Sequence, residues 1–150
     1  MRNFKLLLFL LLASIQSCTT QAPKINGVSF VASRDTISSK HVDPVTKVNA
    51  NYAAIMPFGF IKNLEHPEII HNTDRQWFGE TSTGARQYIE MLRNSNIMVM
   101  VKPQIWISHG EFTGHLKMTA EEDWKTLEDS YRDFIMEYAK LAEQVGAELF

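Results

Sequence analysis

Lys102, Gln104 and Trp106 stand at alternate positions in one mostly apolar run, Ile97 to Ile107 (IMVMVKPQIWI). Along an extended chain successive side chains point to opposite faces, so these three share a face and Ile105 and Ile107 take the other. An ammonium, an amide and an indole together suit a neutral, polyhydroxylated ligand. The first two hydrogen-bond hydroxyls, and the indole covers the apolar face of a sugar ring. Trp77, within Trp77-Phe78-Gly79-Glu80, offers a second indole. Composition alone leaves core packing open for both tryptophans. Lysine is almost never fully buried without a partner, so Lys102 marks either the ligand face or the exit of its strand.

His109, Glu111 and His115 form an H-x-E-x-x-x-H pattern just after that run. Three potential ligands within seven residues invite a metal, but the spacing matches no helical metalloprotease motif and a loop alone fixes no geometry. The expectation is therefore no metal and no other cofactor, with His109 and Glu111 meeting ligand hydroxyls at the rim of a cleft. Glu65-His66-Pro67-Glu68 and His71 read as a solvated loop. No pair of carboxylates in the chain nominates itself as a catalytic acid and nucleophile.

The chain has 150 residues, 45% hydrophobic and 21% charged, which excludes a disordered protein and fits one domain. Fifteen Lys and Arg against 17 Asp and Glu, with no basic cluster, leave no electrostatic footprint for nucleic acid. The single cysteine, Cys18, excludes an internal disulfide. Arg2 and Lys5 precede an unbroken apolar stretch, Leu6 to Ala13, far shorter than the roughly 20 residues a membrane-spanning helix needs. This is the pattern of an export signal. Ile15-Gln16-Ser17-Cys18, with Gln16 in place of the usual small residue, resembles a bacterial lipobox. That resemblance implies a signal over 1–17, a lipid on Cys18, a tether to residue 24 and attachment to a membrane of the bacterial cell envelope. An ordinary cleaved signal with a chance cysteine is the alternative.

Residues 25–150 alternate strands with helices. Ile25–Val31, Tyr52–Phe58 and Ile97–Ile107 have the near-continuous apolar character of parallel strands buried on both faces. Asp43-Pro44 signals a helix running to about Asn49. A second helix is expected over about Thr83–Asn94, with Ala85, Tyr88, Ile89 and Leu92 on one face. A third carries Trp124, Leu127, Tyr131, Phe134, Tyr138, Leu141 and Val145 at helical spacing, with a Thr119–Glu122 capping box and a stop at Gly146. Ala147–Phe150 opens a fourth strand. The helix-to-strand turns are tiny, whereas the strand-to-helix loops, about 32–42, 59–82 and 108–120, are long. Both doubly wound sheets and (β/α)8 barrels bind ligands at that carboxyl edge. A barrel typically takes about 250 residues, so the chain is expected to be an α/β fragment: the N-terminal portion of a barrel, with about three βα units.

Val28-Ser29-Phe30, Ala54-Ile55-Met56-Pro57-Phe58-Gly59-Phe60, Trp77-Phe78-Gly79-Glu80-Thr81 and Lys102-Pro103-Gln104-Ile105-Trp106-Ile107 resemble, in that order, glycoside hydrolase family 113. The likeness continues through Gly110-Glu111-Phe112-Thr113-Gly114 and Glu121-Glu122-Asp123-Trp124, covering about residues 25–150. It implies a retaining (β/α)8 enzyme acting on β-mannan-type polysaccharide. It also implies an acid/base glutamate after the fourth strand and a nucleophile on a later one, so no catalytic residue is expected before Phe150 and the chain alone should be inactive. Trp77, Lys102, Gln104, Trp106, His109 and Glu111 are then the substrate-binding set. A lipid-anchored carbohydrate-binding protein without catalysis is the alternative function. The anchor is directly testable: Cys18→Ala should abolish palmitate incorporation, and labelling equal to the wild type would refute the lipobox reading.

Overall fold

Residues 24–150 are described by a computed structural model. The expected signal over 1–17, the lipidation site Cys18 and the tether up to residue 23 lie outside the described residues. The strands form parallel tracks. β1 (Gly27–Phe30) pairs with β2 (Tyr52–Ile55), and β2 with β4 (Met98–Val101). β3 (Phe58–Ile61) pairs with β5 (Gln104–Ile107), also in parallel. Tyr52 faces Met98 and Ile61 faces Ile107, the same offset of 46 residues in both pairs, so β3 and β5 continue β2 and β4 in register. Across the junction the Lys102 N–H donates to the Ile55 carbonyl at 2.9 Å and the Gln104 N–H to the Pro57 carbonyl at 2.8 Å. Pro57 has no N–H to return a bond. The ladder is therefore interrupted there, and the expected continuous strand over 97–107 is two short ones. The loop expected from residue 59 starts only after Ile61, because Phe58–Ile61 still pairs with β5.

Leu149 makes a parallel bridge to Met100, with its carbonyl accepting from the Val101 N–H at 2.9 Å, so the expected fourth strand does begin beside β4. The strand tracks thus lie side by side in chain order. A doubly wound sheet reverses that order at a switch point, whereas a barrel keeps it. The fold is α/β with about three βα units of a (β/α)8 barrel and the opening of a fourth strand.

Three helices cover one face of the strands. α1 is Ser39–Lys47, α2 Ser82–Asn94 and α3 Glu121–Val145. α1 begins earlier than Asp43-Pro44 suggested. Ser38 is its N-cap, the Ser38 N–H donating to Nδ1 of His41 at 3.0 Å, and Pro44 lies inside the helix rather than opening it. α3 also departs from expectation, since Ala120 and not Thr119 is the N-cap and no side chain caps it. Glu121, Glu122 and Asp123 in its first turn compensate, because carboxylates there oppose the positive end of the helix dipole. The tight exits behave as read. Asn49, Asn96 and Gly146 adopt φ of 55°, 59° and 65°, the left-handed conformation with which helices commonly stop.

The core lies between these helices and the odd-numbered strand residues. Ala53, Ile55, Ile61, Val99, Val101 and Ile107 are buried against Ala85, Tyr88, Ile89 and Leu92 of α2 and Phe134, Tyr138, Leu141 and Ala142 of α3. At Gly59 a Cβ would come to 2.5 Å from the Ile69 methyl and 3.0 Å from the Phe134 ring, so these side chains would have to shift to admit one. The first half of α3 packs less closely, and Tyr131 is exposed. Phe134→Ala should therefore cost about 3–5 kcal/mol, whereas Tyr131→Ala should stay within about 1 kcal/mol. Urea denaturation of the two variants distinguishes these outcomes, and equal costs would contradict this placement of the core.

Candidate functional site

The alternation that buries the odd-numbered residues turns the even-numbered ones to the other face. Tyr52, Ala54, Phe58 and Phe60 alternate there as partly exposed positions, and so do Met98 and Met100 on β4. Phe60 and Trp106 are register partners, with ring centroids 5.8 Å apart in an edge-to-face pair, and Phe58 stacks on Phe60 at 6.0 Å. Trp106 nevertheless keeps 50% of its surface exposed. The long loop after β3 returns as a short 3-10 helix, Phe78–Glu80, and brings Trp77 to the same end of the strands. Trp77 is 43% exposed, and the Arg34 guanidinium sits 5.3 Å from its ring centroid.

Between these rings lies an open cleft of about 930 Å³, lined among others by Phe60, Lys62, Arg75, Trp77, Glu80 and Trp106. It stands at the carboxyl ends of β3 and β5, the edge where barrels carry their sites. A second groove, about 420 Å³ between α2 and α3, is lined by Arg86, Asp133, Lys140 and Gln144 on the outer helical layer, away from that edge. Two carboxyls line the cleft, Asp74 and Glu80, and Glu80 is the one whose titration is shifted. Burial raises its pKa, opposed by the Trp77 N–H, which donates to Oε2 at 3.0 Å. Its oxygens can accept from ligand hydroxyls.

The structure brings Trp77 and Trp106 together in the cleft. Gln104 lies on the Trp106 face one pleat deeper, opposite Phe58, and exposed Lys102 falls at the interruption between β4 and β5; neither lines the cleft. His109 and Glu111 are exposed and also outside its lining. His109 occupies a left-handed turn (φ 64°) followed by Gly110 at 73°, and His115 packs edge-on to Phe112 at 5.2 Å. Among the described residues no three His, Cys, Asp or Glu side chains cluster as metal ligands. Phe60, Arg75 and Glu80 were not singled out from the sequence. Strand alternation extended past Phe58 would have found Phe60, but no local signal marks Arg75.

The model of Glycoside Hydrolase Family 113 matches residues 30–150. The chain belongs to glycoside hydrolase family 113. Solved structures of the family show the same fold. A GH113 β-1,4-mannanase superposes with a TM-score of 0.66 at 15% identity, covering 83% of this chain and 43% of its own. The GH113 β-mannanase AaManA from Alicyclobacillus acidocaldarius, in complex with ManMIm, gives 0.67 at 17%, covering 85% and 44%. A further GH113 β-1,4-mannanase complex gives 0.67 at 14% identity, with the same coverage. The chain spans less than half the length of these structures. No curated protein matches it.

The Glu80 environment gives a pH prediction. A carboxyl with a raised folded pKa contributes most favourably below its unfolded value, about 4.3, and its contribution falls as pH rises through the folded value. Glu80→Gln removes that titration, so the variant should gain in melting temperature relative to the wild type as pH rises above about 4.3. A constant difference between the two proteins across that range would show that burial does not govern Glu80.

Proposed function

We propose that this GH113 chain carries the substrate-binding face of a retaining, β-mannanase-like glycoside hydrolase, with a β-mannan-type oligosaccharide lying across the cleft. The observation that carries the reading is the half-exposed pair Trp77 and Trp106 facing one cleft at the carboxyl end of the strands. Edge-to-face packing on Phe60 holds Trp106 at a fixed angle while leaving surface for a sugar ring. Glu80, Lys62 and Arg75 supply donors and acceptors for hydroxyls around it. Gln104 and Lys102, farther along the same face, extend the polar track beyond the cleft lining.

Retaining hydrolysis needs two carboxyl groups about 5–5.5 Å apart, one as nucleophile and one as acid/base. In this proposal they lie beyond Phe150, the acid/base following the strand that opens at Leu149, so residues 1–150 bind substrate without cleaving it. Placement outside the cytoplasm belongs to the same proposal. The lipobox-like segment ending at Cys18 supports a lipid anchor in the cell envelope, where a polysaccharide chain would be met.

The test is Trp106→Ala. Loss of the stacking platform should raise the Kd for mannohexaose roughly tenfold, about 1.4 kcal/mol, with the melting temperature little changed. Calorimetric titration and a melt on the same sample decide the matter. A collapse of stability with unchanged affinity would make Trp106 structural and remove the best residue of the site.

A further inference from the structure

Trp77 and Glu80 lie on the long segment between β3 and α2, where little regular structure holds them. The segment is nevertheless tied to α3 at both ends of its cleft-lining stretch. Asn72 precedes that stretch with φ 54°, a left-handed conformation that asparagine tolerates better than most residues. Its side chain is fully engaged. Nδ2 donates to Oε1 of Glu137 at 2.6 Å, and Oδ1 accepts from the Ser82 N–H at 2.7 Å, binding the loop to α3 and to the start of α2 at once. The buried Tyr138 hydroxyl shares its one proton between Asn72 Oδ1 at 3.3 Å and the Glu80 carbonyl at 3.2 Å. Burial first, and then the negative charge of Glu137, push that hydroxyl above the usual tyrosine range, so it remains a donor. Beside it His71 Nδ1 lies 3.3 Å from Glu137 Oε2, and its ring packs edge-on to Phe134 at 5.2 Å.

Only seven residues lie between Asn72 and Glu80, and among them Gln76 closes the segment on itself. Gln76 Oε1 accepts from the Thr73 N–H at 3.0 Å, and its Nε2 donates to the Phe58 carbonyl at 2.9 Å, on the strand face that carries the aromatic cluster. Trp77 thus lies between an anchor on the helix and an anchor on the strand, and next to it the Phe78 and Gly79 N–H groups donate to the Arg34 and Ser33 carbonyls at 3.3 and 3.0 Å. We propose that Asn72 and Tyr138 are positioning residues for the carbohydrate cleft, acting through the loop to set the angle of Trp77 and Glu80. The affinity consequence rests on the sugar-binding reading above; the positioning itself does not.

Two variants separate positioning from bulk stability. Asn72→Gly keeps the left-handed backbone accessible and deletes the side-chain bonds, and Tyr138→Phe keeps the buried ring and deletes the hydroxyl. Trp77 is observed alone in a Trp106→Phe, Trp124→Phe background, by acrylamide quenching at a temperature where each variant is folded. Both changes should increase quenching of Trp77. In the chain with all three tryptophans they should weaken mannohexaose binding roughly tenfold, since small misplacements of a binding group are costly. Glu137→Gln, which keeps an oxygen to accept from Asn72, should resemble the wild type in both quenching and affinity. A lowered melting temperature with unchanged quenching and affinity would overturn the proposal and leave the network merely structural. A wild-type chain that binds no mannohexaose would instead contradict the function reading, while the quenching result would still decide the positioning.

Discussion

The parallel register between the second and third strand tracks is the constraint from which the rest follows. One offset runs from Tyr52–Met98 to Ile61–Ile107 although proline breaks the ladder between. A slip of one residue would exchange the two faces. In the β4–β5 track it would send Trp106 into the helical layer, away from Phe60, and bring Ile107 out to the cleft. Because the offset holds, the odd-numbered Val, Ile and Ala residues meet α2 and α3, and the even-numbered aromatic and polar residues keep the opposite face. The core and the candidate site are thus two sides of one alternation, and hydrophobic burial on one side orders the residues on the other.

Strand interiors fix the floor of the cleft, but its wall is a loop, and loops need anchors of their own. Two tyrosines supply them. Tyr88 of α2 meets Ser33 Oγ at 2.6 Å and donates to the Asp35 carbonyl at 3.0 Å, holding the loop after β1. Tyr138 of α3 does the same for the loop after β3. Each puts its ring in the core and its hydroxyl at the layer's upper edge, where loop carbonyls require donors. Gln87 adds a two-way bond to the backbone of Ile37, accepting from its N–H and donating to its carbonyl. The exposed charge pairs of α3, such as Lys125–Asp129, contribute far less, because water screens them.

What the sequence disclosed follows the same division. Periodicity marked α2, the buried half of α3 and the shared face of Lys102, Gln104 and Trp106, since each depends on local repeat and on burial. The shortness of the helix-to-strand turns and the stop at Gly146 were also legible, whereas the left-handed conformations of Asn49 and Asn96 emerge only in the structure. The start of α1 was misplaced because Asp43-Pro44 imitates a helix opening, while Ser38 and His41 form the actual one through side-chain geometry. His71 looked like part of a solvated loop, yet it packs on Phe134 and faces Glu137, sixty-six residues later in the chain. The closeness of Asn72 and Tyr138, and with it the anchoring of Trp77, is a tertiary fact with no local pattern. Residues of His109 and Glu111 type could be named as rim candidates, but no spacing rule could tell that their turn leaves them outside the cleft lining.

The central claim is that the even-numbered strand face and the loop wall together hold a carbohydrate between Trp77 and Trp106. The three tryptophans give three indole N–H resonances, and Trp124 on α3 lies outside the cleft as an internal control. Titration of the labelled chain with mannohexaose, followed by heteronuclear NMR, should shift the indole signals of Trp77 and Trp106 along one common binding curve and leave that of Trp124 in place. Unmoved Trp77 and Trp106 signals, or a shift confined to Trp124, would contradict the account.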